Sequence, residues 1–234
     1  VAALVLAWGG IARYCPIHKP QPPDNSAPGF TLMTYNVYFL LDYEGSDTPQ
    51  NRTISFLLAQ DADLVCLQEA PELADPNPGL KVAQAQIDSI HARYPYRIPT
   101  SHGMNFLSKY PARLLFDTVY SESSAVAAYR VQIGEREVTV VNQHMESIGL
   151  TQTDKELYHE ITAHPNTDYL DEVKKHLLSK LVNATRARNK QADLTAEKIE
   201  ELAGNVIVCG DFNDSPLSYA VRRFRRMGFR NAYN

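Results

Sequence analysis

Five polar side chains stand where apolar runs stop. Asn36 closes a run containing Leu32 and Met33, Glu69 follows Leu64-Val65-Cys66-Leu67, His144 follows Val138 to Val141, and Asp211 and Asn213 follow Val206 to Cys209. A hard divalent ion such as Mg²⁺ takes oxygen ligands and keeps several waters. The Glu69 carboxylate and the Asn36 amide oxygen suit it. A phosphate ester needs its developing charge neutralised and a water aimed in line with the leaving oxygen. Asp211 is the candidate general base for that water, Asn213 could hold it, and His144 could bind a phosphate oxygen. Each residue alone has a plainer reading. Gly210, Asp211 and Asn213 are turn residues for backbone reasons, a single Glu is most often solvated, and a single His is most often structural. The repetition of one pattern at four strand ends favours the chemical reading, provided those ends converge at one edge.

The elements that must position these residues are legible in part. Phe30–Phe39 predicts a strand, Leu64–Leu67 a buried strand, and Val126–Val131 with Glu137–Val141 a hairpin turned at Gly134-Glu135. Gly103–Tyr110 and the segment to Tyr120 predict strand and turn. Val206–Cys209, rich in β-branched residues, predicts a last buried strand. Helical spacing predicts helices over Arg52–Gln60, Leu80–Tyr94, Asp171–Lys190 and Leu217–Met227, with Gln191–Ala203 a continuation or a helical hairpin. Asp42–Asn51 and Pro71–Gly79 read as loops, and Thr151–Asn166 as a polar stretch without a clear period. His91 reads as a surface or packed histidine, and the Arg222–Arg226 cluster as an exposed helix face.

The chain has 234 residues, enough for one large domain or two small ones, and 44% hydrophobic content supplies a core. A net charge of −4 and a pI near 6.0 give no general attraction to nucleic acid or acidic lipid. Nucleic acid is therefore not a favoured partner. The three cysteines are too few and too scattered for a disulfide framework, and Cys66 and Cys209 read as small core residues. Val1–Trp8 is nearly all apolar. It is shorter than the roughly 20 residues that span a bilayer and reads as the tail of a longer hydrophobic segment. The prolines between Arg13 and Pro28 mark a linker. The expected organisation is a tail and linker over residues 1–28 and one domain over 29–234.

Five short stretches occur in order: Thr34-Tyr35-Asn36-Val37, Leu67-Gln68-Glu69, Leu107-Ser108-Lys109-Tyr110-Pro111, Asn142 to Ser147, and Gly210 to Pro216. Together they resemble the endonuclease/exonuclease/phosphatase superfamily, which includes pancreatic-type deoxyribonucleases, abasic-site endonucleases, inositol polyphosphate 5-phosphatases and sphingomyelinases. The resemblance covers about residues 30 to 234. It implies a four-layer α/β/β/α sandwich, with two mostly antiparallel sheets face to face and helices outside. It also implies Mg²⁺-dependent hydrolysis of a phosphodiester or phosphomonoester, with Mn²⁺ as an alternative ion. By motif position, Asn36 and Glu69 would serve the metal, His144 the phosphate, and Asp211 with Asn213 the water. The N-terminal arrangement is similar to a membrane-tethered branch of Bacteroidetes-type bacteria, which implies a membrane-associated bacterial enzyme.

The family pattern ends in a Ser-Asp-His motif on later strands. Here no Asp-His pair follows Asp211, and the last histidine is His176. The expectation is a fragment cut at both ends, lacking its C-terminal strands and weakly active or inactive as it stands. The competing expectation is a non-catalytic binding scaffold of the same fold. Against it stands the cost of keeping five polar residues at strand ends, each with a desolvation penalty.

Overall fold

The computed structural model describes residues 2–14, 29–41, 50–73, 82–163 and 170–232. The chain runs through α1 (Ala2–Tyr14), β1 (Leu32–Asn36), α2 (Arg52–Gln60), β2 (Leu64–Gln68), α3 (Gln84–Arg93), β3 (Tyr96–Pro99), β4 (Asn105–Ser108) and β5 (Ala112–Ser121). It continues through β6 (Ser124–Ile133), β7 (Arg136–His144), α4 (Gln152–Ala163), α5 (Leu170–Glu200), β8 (Asn205–Asp211) and α6 (Tyr219–Arg226). Two units can be distinguished. One comprises Ile17–His144 with Lys198–Asp211; the other comprises Val1–Pro16, Met145–Glu197 and Phe212–Asn234.

The first unit holds both sheets, of four strands each, in the orders β1-β2-β4-β3 and β5-β6-β7-β8. Each sheet is mixed: β1 pairs with β2 and β7 with β8 in parallel, and the other pairings are antiparallel. The period-2 alternation of a strand explains why all of β2 is buried. Val65 and Leu67 face Ile54 and Leu57 of α2 and Ile87 and Ile90 of α3. Leu64 and Cys66 face the other way and pack with Ala127, Tyr129, Val140 and Cys209 of the second sheet. Each such Leu or Val, fully buried, contributes about 1.5–3 kcal/mol relative to exposure. Phe106 and Tyr129 stack across the sheets with ring centroids 4.3 Å apart. This is the expected α/β sandwich.

Local chemistry sets the helix ends. Asn51 caps α2 by accepting the Ile54 N–H at 3.1 Å, and Asp61 ends it in a left-handed conformation. Gln86 of α3 then grips the Asn51 backbone at both N–H and carbonyl, each at 2.8 Å.

In the second unit, Thr151 and Asp154 form a reciprocal cap for α4, with Asp154 Oδ2 accepting the Thr151 N–H at 2.7 Å and Thr151 Oγ1 accepting the Asp154 N–H at 3.2 Å. Arg188, 2% exposed, donates to Asp214 at 3.0 Å, to the Glu146 carbonyl at 3.0 Å and to Thr185 at 3.2 Å. Ser218 caps α6, whose Phe224 meets Phe212 and Phe229 edge-on. Arg223 of that helix pairs with Asp193 at 3.3 Å, while Arg222, Arg225 and Arg226 are exposed.

Several expectations need correction. The first strand stops at Asn36, and the aromatic residues after it form a separate turn rather than more strand. Asn142, Gln143 and His144 lie within β7, not beyond its end. The polar stretch after Thr151 is helix α4, and its cap was the available signal. Of the two readings offered after Lys190, continuation holds and the hairpin does not: one helix of 31 residues runs from Leu170 to Glu200. β3 was not foreseen. Cys15, most of the Pro-rich linker, and much of the loops after Leu41 and Leu73 lie outside the described residues. Among the described residues no helix is long and apolar enough to cross a membrane.

Candidate functional site

The first unit brings four of the five sequence-predicted residues together. Asn36 is the last residue of β1 and Asp211 the last of β8. Glu69 follows β2 immediately, and His144 ends β7 directly opposite Asp211 in the parallel register. Asn36 Nδ2 donates to Glu69 Oε1 at 2.9 Å and to Asp211 Oδ2 at 3.0 Å. His144 Nε2 lies 3.5 Å from the same Glu69 oxygen. Two parallel pairs, one in each sheet, thus carry their C-terminal ends to one place. Asn213 belongs to the other unit, where its amide donates to the Met145 carbonyl at 2.8 Å.

The backbone around these residues is unusual. Glu69 has φ of 50°, in the left-handed region. Tyr38, Phe39 and Leu40 follow one another at φ of 43°, 57° and 58°. Left-handed backbone costs an L residue roughly 1–2 kcal/mol and persists where surrounding contacts enforce it. Here the Phe39 N–H donates to the Glu69 carbonyl at 2.7 Å, and the Tyr38 N–H donates to Asn36 Oδ1 at 3.0 Å. The turn is therefore pinned to both Asn36 and Glu69.

Gly210 is required by close approach rather than by a turn. Its φ is 128°, and a Cβ there would sit 1.9 Å from the Gln143 carbonyl oxygen of the neighbouring strand. The absence of a side chain lets β8 lie against β7 and delivers Asp211 opposite His144.

Sequence reading missed the supports of the site. Gln68 and Asn142, which the sequence shows only as neighbours of Glu69 and His144, are such supports. They are 1% and 0% exposed and bind each other between the sheets: Gln68 Nε2 donates to Asn142 Oδ1 at 2.6 Å, and Asn142 Nδ2 donates to the Leu67 carbonyl at 3.0 Å. The signal was available, since a buried amide needs partners. Farther into the core, burial raises the Cys66 thiol and Tyr129 hydroxyl pKa values, with contact from Cys209 also raising the Cys66 thiol. Both Cys66 and Cys209 are free thiols.

Beside Glu69 and His144 opens a cleft of about 560 Å³. Its walls include Phe39, Glu72, His102, Asn105 and Glu122. His144 is 3% exposed, and its Nε2 is buried without a hydrogen-bond partner among the described residues. Among those residues no three His, Cys, Asp or Glu side chains form a ready-made metal cluster. The chemistry present is two carboxylates sharing one amide donor, with an imidazole at their edge.

Solved structures of similar fold include a beta-hairpin deletion mutant of beta toxin from Staphylococcus aureus, 12% identical, covering 87% of this chain and 74% of that one with a TM-score of 0.52. A double mutant of the same toxin, determined with bound magnesium ions, is 14% identical and covers 84% and 69%, with a TM-score of 0.50. Sphingomyelinase C from Streptomyces griseocarneus is 18% identical and covers 86% and 70%, with a TM-score of 0.49. At these identities the likeness to the two toxin structures is one of fold. A search of curated proteins by sequence finds no match. The sequence model of the Endonuclease/Exonuclease/phosphatase family matches residues 33–233, and with a match over that length the chain belongs to this family.

Proposed function

We propose that the chain carries the catalytic body of a metal-dependent phosphoester hydrolase, with Mg²⁺ as the ion and Mn²⁺ as its alternative. The observation that supports this reading is the meeting of Asn36, Glu69, Asp211 and His144 at the ends of four strands. Mg²⁺ is commonly held by one or two carboxylates together with waters and substrate phosphate, and Glu69, with the Asn36 amide oxygen beside it, would supply the protein's share. When bound, the ion would neutralise charge on a phosphoryl oxygen. Asn36 now stands between the two carboxylates as a hydrogen-bond donor, occupying the place where negative charge gathers. His144 Nε2 is a buried polar atom in need of a partner, which suits a phosphoryl oxygen. Asp211 is the residue proposed to take the proton of the attacking water.

The substrate is a phosphodiester or phosphomonoester. Membrane association belongs to the same proposal. It is supported by the apolar Val1–Trp8 run and by the exposure of Trp8 and Ile11 on α1.

The test is Mg²⁺ binding by calorimetry on this chain and on Glu69→Ala. Mg²⁺ binding that is lost in the variant is the expected result. Identical heats in the two proteins would remove Glu69 from the metal site and, with it, this reading.

A further inference from the structure

Cys66 of β2 and Cys209 of β8 stand on different sheets and meet in the core between them. Both are buried free thiols in one apolar cluster with Ala127, Tyr129 and Val140, and the Cys66 thiol is in hydrogen-bond contact with that of Cys209. Two hydrogen bonds between the sheets hold the strands beside this pair. Gln68, two residues after Cys66 and so on the same face of β2, is bound to Asn142 at 2.6 Å, and Asn142 is the register partner of Cys209. Asp211, two residues after Cys209 on the same face of β8, is bound by Asn36 at 3.0 Å, and Asn36 is the register partner of Gln68. Cα atoms of β2 and β8 come within 8 Å of one another. A disulfide takes Cα atoms about 4.4–6.8 Å apart, and facing sheets of a sandwich do accept such a bridge.

We infer that Cys66 and Cys209 are a latent disulfide pair, whose oxidation ties β8 to β2 and makes the junction of the two sheets covalent. The oxidant is a small-molecule disulfide. One thiolate attacks it to give a mixed disulfide and release one thiol, and the second thiolate displaces the remaining half as another thiol. The two cysteines together give up two protons and two electrons. In the folded chain this exchange is blocked, because burial keeps the oxidant out and keeps the Cys66 proton in place. The bond therefore forms while the sheets are still open, and the same burial then shields it from reduction. It closes the chain between residues 66 and 209, and stabilisation by a cross-link grows with the length of the loop it closes. The latch is independent of what the site hydrolyses.

The test uses the full chain carrying Cys15→Ser, so that no other pairing within the chain can form. It is unfolded in urea and refolded with a mixture of oxidised and reduced glutathione, and in parallel with a reductant alone. The glutathione sample should lose two hydrogens from its intact mass and give, in a non-reducing digest, one species joining the Cys66 and Cys209 peptides. Its urea midpoint should lie about 1 M above that of the reduced sample, the scale of one cross-link over a long loop. Cys209→Ser in the same background should show no difference between the two refolding conditions. A refolded chain that keeps two titratable thiols, or carries each as a separate glutathione adduct, would overturn the pairing. A linked chain whose midpoint does not rise would overturn the latch, because the bond would then strain the two sheets and not hold them.

Discussion

Gln68 and Asn142 clasp each other between the two sheets, 2.6 Å from amide nitrogen to amide oxygen. One lies directly before Glu69 and the other two residues before His144, so the clasp sets the spacing of the carboxylate and the imidazole. Asn142→Leu should cost about 1–3 kcal/mol in urea unfolding, the scale for losing one side of a buried hydrogen bond. It should also weaken Mg²⁺ binding, although Asn142 is not proposed as a ligand. A double-mutant cycle with Gln68→Leu should show coupling of about 0.5–3 kcal/mol. Additive losses would mean that the two amides act independently.

Gly210→Ala tests the close approach of β8 to β7. The added methyl would collide with the Gln143 backbone at 1.9 Å and would hold φ at 128°, which L residues rarely adopt. We expect a loss of about 3 kcal/mol, at the upper range for a single strained substitution, seen as a lower urea midpoint. An unchanged midpoint would show that the strand can shift freely, contrary to its register with Gln143.

Arg188→Met should be costly for a different reason. The guanidinium is buried and satisfies Asp214, Glu146 and Thr185 together. Removing one partner of a buried pair strands the other, at about 3–5 kcal/mol. Adding Asp214→Asn to Arg188→Met should recover part of that loss. If the double variant is no more stable than the single one, the cost comes from packing and not from the stranded carboxylate.

The Asp154 clamp predicts a pH signature. Hydrogen bonds from Lys180 and from the Thr151 backbone and hydroxyl hold its carboxyl below the ordinary carboxylate range, with His176 adding to the effect. A carboxylate with a depressed folded-state pKa stabilises the fold above its unfolded pKa, near 3.9. That contribution is lost as pH falls toward the folded value. Wild type should therefore exceed Asp154→Asn in stability at pH 7, and the gap should close steadily below pH 4. A gap independent of pH between 7 and 2 would show that the charge of Asp154 contributes nothing.

The residues best read from sequence were those whose identity is enforced locally. The β-branched run of β8, the Gly134-Glu135 turn between β6 and β7, and the apolar stripe of α2 each contain their own signal. Asn36, Glu69, His144 and Asp211 drew attention in the sequence because each stands where an apolar run stops, and a polar group at the end of a buried strand needs a partner. What stayed hidden depends on distant partners. Nothing local announces that Gln68 reaches Asn142 or that Arg188 reaches Asp214. The strand limit at Asn36 was overrun because Tyr38 and Phe39 have strand-like side chains, while their backbone is turned left-handed by bonds to Asn36 and Glu69.

The contact between Asn36 and Asp211 spans 175 residues of sequence. β8 joins β7 only after the chain has left the sheet at Met145 and returned from α5. Contacts of such long range are slow to form, because chain entropy is lost before they reward it. A nascent polypeptide with its first sheet in place holds Asn36 and Glu69 but has not yet gained Asp211. Glu69 and Asp211 come together only when β8 docks beside β7, so under the proposed function ion affinity would report the docking of that strand.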